Sequence, residues 1–279
     1  MTTCAKPVSR YACHRSPKSL AGLPRCRFRH SRAVARIVLE NVSRTYIGPR
    51  RQRVQAVRSL NLDVADGEFI AVLGPSGSGK TTMLRLMAGL EKPDVGTITI
   101  DGCAANDIEP QDRDAAMVFQ HPALLPHLTA FDNMALGLKL RRFPGKEVEK
   151  RVRSTAESLG LENLLERLPR DLSGGERQRV SIGRALVREP KVFLFDEPLT
   201  HLDGPLCAQT RAEIVKRHRR FGTTMLYVTH DHAEASALAR RIVIMNFGEI
   251  QQVGEPAAIG ARPANEFVAG FFKPEAAPV

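Results

Sequence analysis

The nine residues GPSGSGKTT at 74–82 carry the most specific chemistry in this chain. Gly74, Pro75, Ser76, Gly77, Ser78, Gly79, Lys80, Thr81 and Thr82 contain the full G-x-x-x-x-G-K-[ST] spacing. Glycines there let successive backbone N–H groups converge on an anion. In such a loop the lysine reaches the β/γ-phosphate oxygens and the hydroxyl after it ligates Mg²⁺. A merely glycine-rich turn matches this pattern in on the order of one per cent of chains this long. The surroundings argue further against that reading. An apolar strand at 69–73 precedes the loop, and a helix follows with apolar residues at 83, 84, 86, 87 and 90.

Three further places hold polar residues where chemistry could occur. VFLFDEP at 192–198 is an apolar strand ending in two carboxylates. Beside a phosphate loop, Asp196 is placed to hold Mg²⁺ and Glu197 to polarise an attacking water. Without that loop the pair would read as an acidic strand-end turn stopped by Pro198. Gln120 follows AAMVF and His230 follows MLYVT, each at the carboxyl end of an apolar run. Ligands of open α/β sheets sit at those strand ends. The third place is LSGGERQRVSIGRAL at 172–186. Ser173 and Glu176 have capping-box spacing, and Gly174 and Gly175 leave backbone N–H groups open at the positive end of the coming helix.

The elements that must position these residues form an α/β chain. FIAVL, AAMVF, VFLF and MLYV are short, continuously apolar runs separated by helical patterns, as expected of parallel strands buried on both faces. The 37–64 region and TITIDG at 97–102 alternate instead, which predicts an antiparallel β layer. Asp66-Gly67 predicts a hairpin from the strand ending at Val64 into EFIAVLG. Residues of about 122–178 read as an inserted helical block. After His230 the pattern gives a helix, a strand pair about Phe247-Gly248 and a last helical stretch ending at FVAGFF. The expected division is a leader at 1–33, a phosphate-loop domain at 34–235 and a short C-terminal part at 236–279.

The net charge of +11 over 279 residues is concentrated in that leader. Residues 1–33 hold eight Lys or Arg and no acid, leaving 33 basic against 30 acidic residues in the remainder. The patterned part is nearly neutral, so no nucleic-acid partner is expected from charge. The leader reads as a transit-like segment, as a basic arm, or as sequence ahead of a true start at Val34, and the last is preferred. Cys4, Cys13 and Cys26 lie within it, and Cys103 and Cys207 stand apart. The irregular Cys/His spacing of the leader argues against a metal site there. No apolar run approaches the length of a membrane span.

Taken in order, Gly74–Thr82, Gln120, LSGGE, Asp196-Glu197 and His230 resemble the nucleotide-binding subunit of ATP-binding-cassette transporters, over about residues 36–272. The resemblance implies a P-loop NTPase core with ATP and Mg²⁺. Tyr46 matches the aromatic that stacks on adenine, and Gln120 the glutamine that touches Mg²⁺ and links to membrane subunits. Asp203 matches the dimer-contact aspartate and His230 the γ-phosphate histidine. It also implies that Ser173, Gly174 and Gly175 face the nucleotide of a second subunit. The wording of HPALLPHLTAFDNMALGLKLR, DEPLTHLDGPLCAQTRAEI and YVTHDHAEASALARRIVIMNFGEIQQVGEP is similar to the importer branch, especially carbohydrate importers of the maltose and glycerol-phosphate type. Two departures stand out. Thr200-His201 replaces a small pair, and the sequence stops soon after FVAGFF, where that branch continues into a regulatory domain. The implied partners are a second ATPase subunit, two integral membrane permeases and, indirectly, a periplasmic or lipid-anchored solute-binding protein. The implied location is the cytoplasmic face of a bacterial membrane. Exporter ATPases and cassette ATPases acting on nucleic acid or ribosomes are the rival readings.

Overall fold

A computed structural model describes residues 34–48, 52–200 and 202–272. The leader, His201 and the seven residues after Phe272 lie outside the described residues, and so do the expectations that concern them.

The chain opens with β1 (Ile37–Ile47) and β2 (Arg53–Val64), paired antiparallel with Leu39 opposite Leu62 and Val42 opposite Leu60. Alternation puts those apolar residues on one buried face and leaves Arg, Ser and Asn on the other. β3 (Phe69–Leu73) and α1 (Lys80–Ala88) follow, then β4 (Val95–Ile100), β5 (Cys103–Ala104) and β6 (Ala115–Val118). The helical block holds α2 (Ala130–Leu140), α3 (Gly145–Ser158) and α4 (Gly174–Leu186). β7 (Val192–Asp196), α5 (Gly204–Phe221), β8 (Thr224–Val228) and α6 (His232–Leu238) return to the core. The described chain finishes with β9 (Arg241–Asn246), β10 (Glu249–Gly254), α7 (Pro256–Ala261) and α8 (Glu266–Phe271).

Two sheets result. The antiparallel one has the order β2-β1-β4-β5, and the other runs β10-β9-β3-β8-β7-β6, parallel except for its β9–β10 edge. The unbroken apolar run of β3 is explained by burial on both faces. Phe69, Ala71 and Leu73 join the core beneath the helical block, while Ile70 and Val72 join the core shared with the antiparallel sheet and α1.

Two local expectations change. The turn at Asp66-Gly67 forms, with Glu68 N donating to Ala65 O at 3.1 Å. It does not close a hairpin, because β3 pairs with β8 and β9 and not with β2. A strand apolar on both faces gains most in the middle of a covered sheet, whereas β2 has one polar face to keep in water. Leu90 also leaves the apolar face of α1. The helix ends at Ala88, and Leu90 lies beyond its cap, 47% exposed.

A buried charge that the sequence reading passed over closes the far end of α1. Arg113 is fully buried and donates to the carbonyls of Leu86 at 2.8 Å, Met87 at 3.0 Å and Ile108 at 2.8 Å. Burial pushes its pKa down to about 10. The C-terminal carbonyls of a helix are orphaned acceptors at its negative end, so a guanidinium there satisfies both bonding and dipole. Arg113→Met takes the guanidinium from all three carbonyls and leaves Leu86 O only the amide of Gly89 at 3.2 Å. A loss of roughly 1–3 kcal/mol for each carbonyl left unsatisfied is expected by urea unfolding.

Candidate active site at the carboxyl edge of the parallel sheet

The phosphate loop runs from the end of β3 into the start of α1. Gly79 caps α1 in the left-handed conformation, with no side-chain cap bond and no acidic residue in the first turn. A Cβ at Gly79 would run into the Ala56 carbonyl of β2, so only glycine fits. At Gly77 a Cβ would meet nothing within 4 Å, which makes this side of the loop an open cradle. Ser78 Oγ is buried without a partner, and Lys80 Nζ folds back onto the carbonyls of Gly74 at 2.7 Å and Pro75 at 2.9 Å. An uncapped helix start, an open cradle and a buried ammonium together fit a phosphate group. Burial holds the Lys80 ammonium below the ordinary lysine range, against the pull of Glu197 and Asp196.

Beside the loop, Thr81 Oγ1 donates to Asp196 Oδ1 at 3.0 Å. A hydroxyl and a buried carboxylate are hard oxygen donors of the kind Mg²⁺ takes. Burial is the main force raising the Asp196 pKa, opposed by the Thr81 hydrogen bond. A carboxylate with a raised folded pKa supports the fold below its unfolded pKa and loses that support as pH rises through the folded value. At neutral pH its charge is therefore a cost that a bound cation offsets. Asp196→Asn is expected to raise the melting temperature of the nucleotide-free protein at pH 7.5 and to abolish the extra stabilisation by MgATP. Scanning calorimetry with and without MgATP checks both signs.

Glu197 follows directly, with φ 45°, a conformation that a non-glycine residue rarely adopts and that marks functional positions when neighbours enforce it. Its amide donates to Val228 O of β8 at 3.0 Å. Its carboxylate accepts from Gln120 Nε2 at 3.1 Å and lies 3.5 Å from His230 Nδ1. The three polar residues at three strand ends thus meet in one place. With Nε2 on Glu197, Gln120 keeps its Oε1, the metal-binding atom of an amide, for a cation. The His230 side chain is 65% exposed and borders the open side.

His230 sits in a turn held from behind. Glu234 accepts from Thr229 Oγ1 at 2.7 Å and from Tyr227 OH at 3.0 Å, and Asp231 caps α6 through Glu234 N at 3.0 Å. Burial, with help from Glu234, pushes the Tyr227 hydroxyl well above its usual range and keeps it a donor. Sequence reasoning missed Glu234, although Asp231-x-x-Glu234 has the spacing of a helix start.

The remaining expected residues fall into two groups. Tyr46 lies on β1 opposite Val54, two residues before the Ala56 that abuts Gly79, so its strand pair borders the loop. The Arg44 guanidinium stands 5.1 Å from its ring centroid. Ser173, Gly174, Gly175 and Asp203 are not brought to that site. Ser173 closes a full capping box, its N donating to Glu176 Oε2 at 2.6 Å and its Oγ accepting from Glu176 N at 3.2 Å. That backbone bond holds the Glu176 carboxyl below its ordinary range. Ser173 and Gly174 are exposed, and among the described residues no hydrogen bond joins 173–175 to 74–82. Asp203 caps α5, accepting from Leu206 N at 3.2 Å.

The profile of the family described as ABC transporter matches residues 57–200, more than half of the chain. The chain belongs to the ABC transporter family. Among curated relatives, the sn-glycerol-3-phosphate import ATP-binding protein UgpC of Bordetella pertussis is 54% identical over 239 residues, 86% of this chain and 65% of that protein. UgpC of Brucella abortus is 50% identical over the same share of this chain and 67% of its own length. This cassette therefore spans about two thirds of the length of the relatives it matches. Among solved structures, the dimeric post-hydrolysis state of the ATP-binding cassette MJ0796 bound to ADP and Pi superposes with TM-score 0.74 at 34% identity. It covers 79% of this chain and 98% of its own.

Proposed function

We propose that this cassette is the ATP-hydrolysing subunit of a bacterial importer, and that its transported solute is sn-glycerol 3-phosphate or a related sugar or polyol phosphate. The observation that carries the hydrolytic part is the meeting of Glu197 with Gln120 and His230 beside Lys80, Thr81 and Asp196. Similarity to import ATP-binding proteins at 50–54% identity supports the transport part.

In this reading the loop amides and Lys80 bind the phosphates, and Tyr46 receives the base. Thr81, Asp196 and Gln120 would hold Mg²⁺, which supplies charge neutralisation on the phosphate oxygens. Glu197 accepts a hydrogen bond from the attacking water and orients it. The Gln120 amide keeps that carboxylate in place, and His230 fixes the outermost phosphate at the open side. Ser173–Gly175 serve the nucleotide of a second cassette, and Asp203 lies at that contact. The helical block and the segment after Gln120 dock on two membrane permeases, which holds the subunit at the cytoplasmic face of the membrane. A solute-binding protein delivers the cargo to those permeases.

Reconstitution tests both halves. The cassette, with permeases encoded beside its gene in proteoliposomes, is expected to hydrolyse ATP in a Mg²⁺-dependent way and to drive uptake of labelled sn-glycerol 3-phosphate. Hydrolysis with outward movement of the label would overturn the importer reading. Absence of hydrolysis would overturn the enzyme itself.

A further inference from the structure

α4 reaches two strand ends with one side chain. Gln178, in its second turn, is fully buried, and its Nε2 donates to Phe119 O at 3.1 Å and to Pro198 O at 2.9 Å. A primary amide has two N–H bonds, so both are used on these carbonyls. Phe119 precedes Gln120 and Pro198 follows Glu197. The same amide therefore grips the backbone beside both members of the pair that meets at 3.1 Å.

The other half of that amide is what makes the arrangement informative. Gln178 Oε1 is buried with no partner. An orphaned acceptor carries a desolvation cost that Leu or Met would avoid at the same volume. Its presence is explained by the donors, since no apolar residue could bind two carbonyls. The strand ends require such a hold. Glu197 occupies left-handed backbone, which persists only where neighbours fix it. Val228 O fixes it on the amino side, and Gln178 fixes it on the carboxyl side through Pro198. Further along the same helix Arg184 donates to Ala123 O at 2.8 Å, and just past its end Arg188 donates to Ala115 O at 2.9 Å. α4 and the residue just past it thus hold both ends of the segment that carries Gln120, and Gln178 is the contact shared with the backbone beside Glu197.

We infer that Gln178 is a positioning residue for hydrolysis, setting the distance between Gln120 and Glu197 without touching nucleotide. The inference rests on the ATPase reading of the same site. Gln178→Met keeps the volume and removes both donors, and Gln178→His restores one donor at similar reach. Steady-state hydrolysis is expected to show kcat at least 10-fold lower in Gln178→Met with KM for MgATP within 2-fold of the wild type. Gln178→His should fall between the two. Amide exchange at Phe119, Gln120 and Glu197 should accelerate in Gln178→Met. If Gln178→Met destabilises the chain too far, the Gln178→His result and its exchange rates carry the same comparison. Unchanged kcat in a folded variant, or kcat and KM moving together, would overturn the inference. If the wild type itself does not hydrolyse ATP, the enzyme reading fails, and unaltered exchange at those three residues would still refute the hold.

Discussion

Glu197→Gln is expected to bind ATP as tightly as the wild-type protein and to hydrolyse it at least 10²-fold more slowly. The carboxylate sits at the end of β7 with Gln120 Nε2 at 3.1 Å and His230 Nδ1 at 3.5 Å, and it makes no contact with the phosphate loop in the hydrogen-bond network. In the proposed site binding relies on the loop amides, Lys80 and Thr81, which the substitution leaves in place. A glutamine keeps the shape and an acceptor oxygen but lacks the basicity that draws a proton from water. Loss of a positioned general base costs about 10²–10⁴ in rate. The φ of 45° at this residue does not change the expectation, since both side chains meet the same backbone strain. Equilibrium binding of a fluorescent ATP analogue and phosphate release, measured on one preparation, decide the matter. Undiminished release would remove Glu197 from the chemistry.

The second large effect concerns the glycines of LSGGE. A Cβ at Gly174 would find only Arg177 Nη2, at 4.0 Å, so a larger side chain there disturbs nothing within the subunit. Yet Gly174→Arg is expected to abolish hydrolysis if, as proposed, the surface it fills faces the other subunit's nucleotide. Mixing makes the claim specific. Neither Gly174→Arg nor Glu197→Gln protein alone should turn over ATP. In the proposed two-fold dimer each site takes its loop from one chain and its glycines from the other. A mixed dimer therefore has one intact site and one doubly damaged site. Random pairing makes half of the dimers mixed, so an equimolar mixture should recover up to about a quarter of wild-type activity, as the two-fold arrangement dictates. No recovery in a mixture shown to contain mixed dimers would refute the shared site. Full activity of Gly174→Arg alone would do the same.

The sequence by itself determined the parts that obey short-range rules. The phosphate loop was legible because a helix start, a lysine and a hydroxyl must lie within a few residues of one another to hold a phosphate. The capping box at Ser173 and Glu176 was legible for the same reason, and it forms with both of its bonds. Continuous apolar runs announced strands covered on both faces, and the two faces of β3 do enter two separate cores.

Tertiary structure alone decided which of these pieces meet. The turn at Asp66-Gly67 has hairpin residues, yet β3 goes to the parallel sheet, because burial of both its faces outweighs the local turn preference. Gln120, Glu197 and His230 are separated by 77 and 33 residues, and their contact exists because β6, β7 and β8 are neighbours in one parallel sheet with aligned carboxyl ends. Arg113 and Gln178 gave no signal of their own, since a polar residue on a helix or loop ordinarily faces water, and Glu234 gave only that of a helix start. Arg113 and Gln178 are buried against carbonyls 27 and 59 residues away, and sequence spacing holds no information on partners brought together by packing, whereas Glu234 closes on the nearby Tyr227 and Thr229.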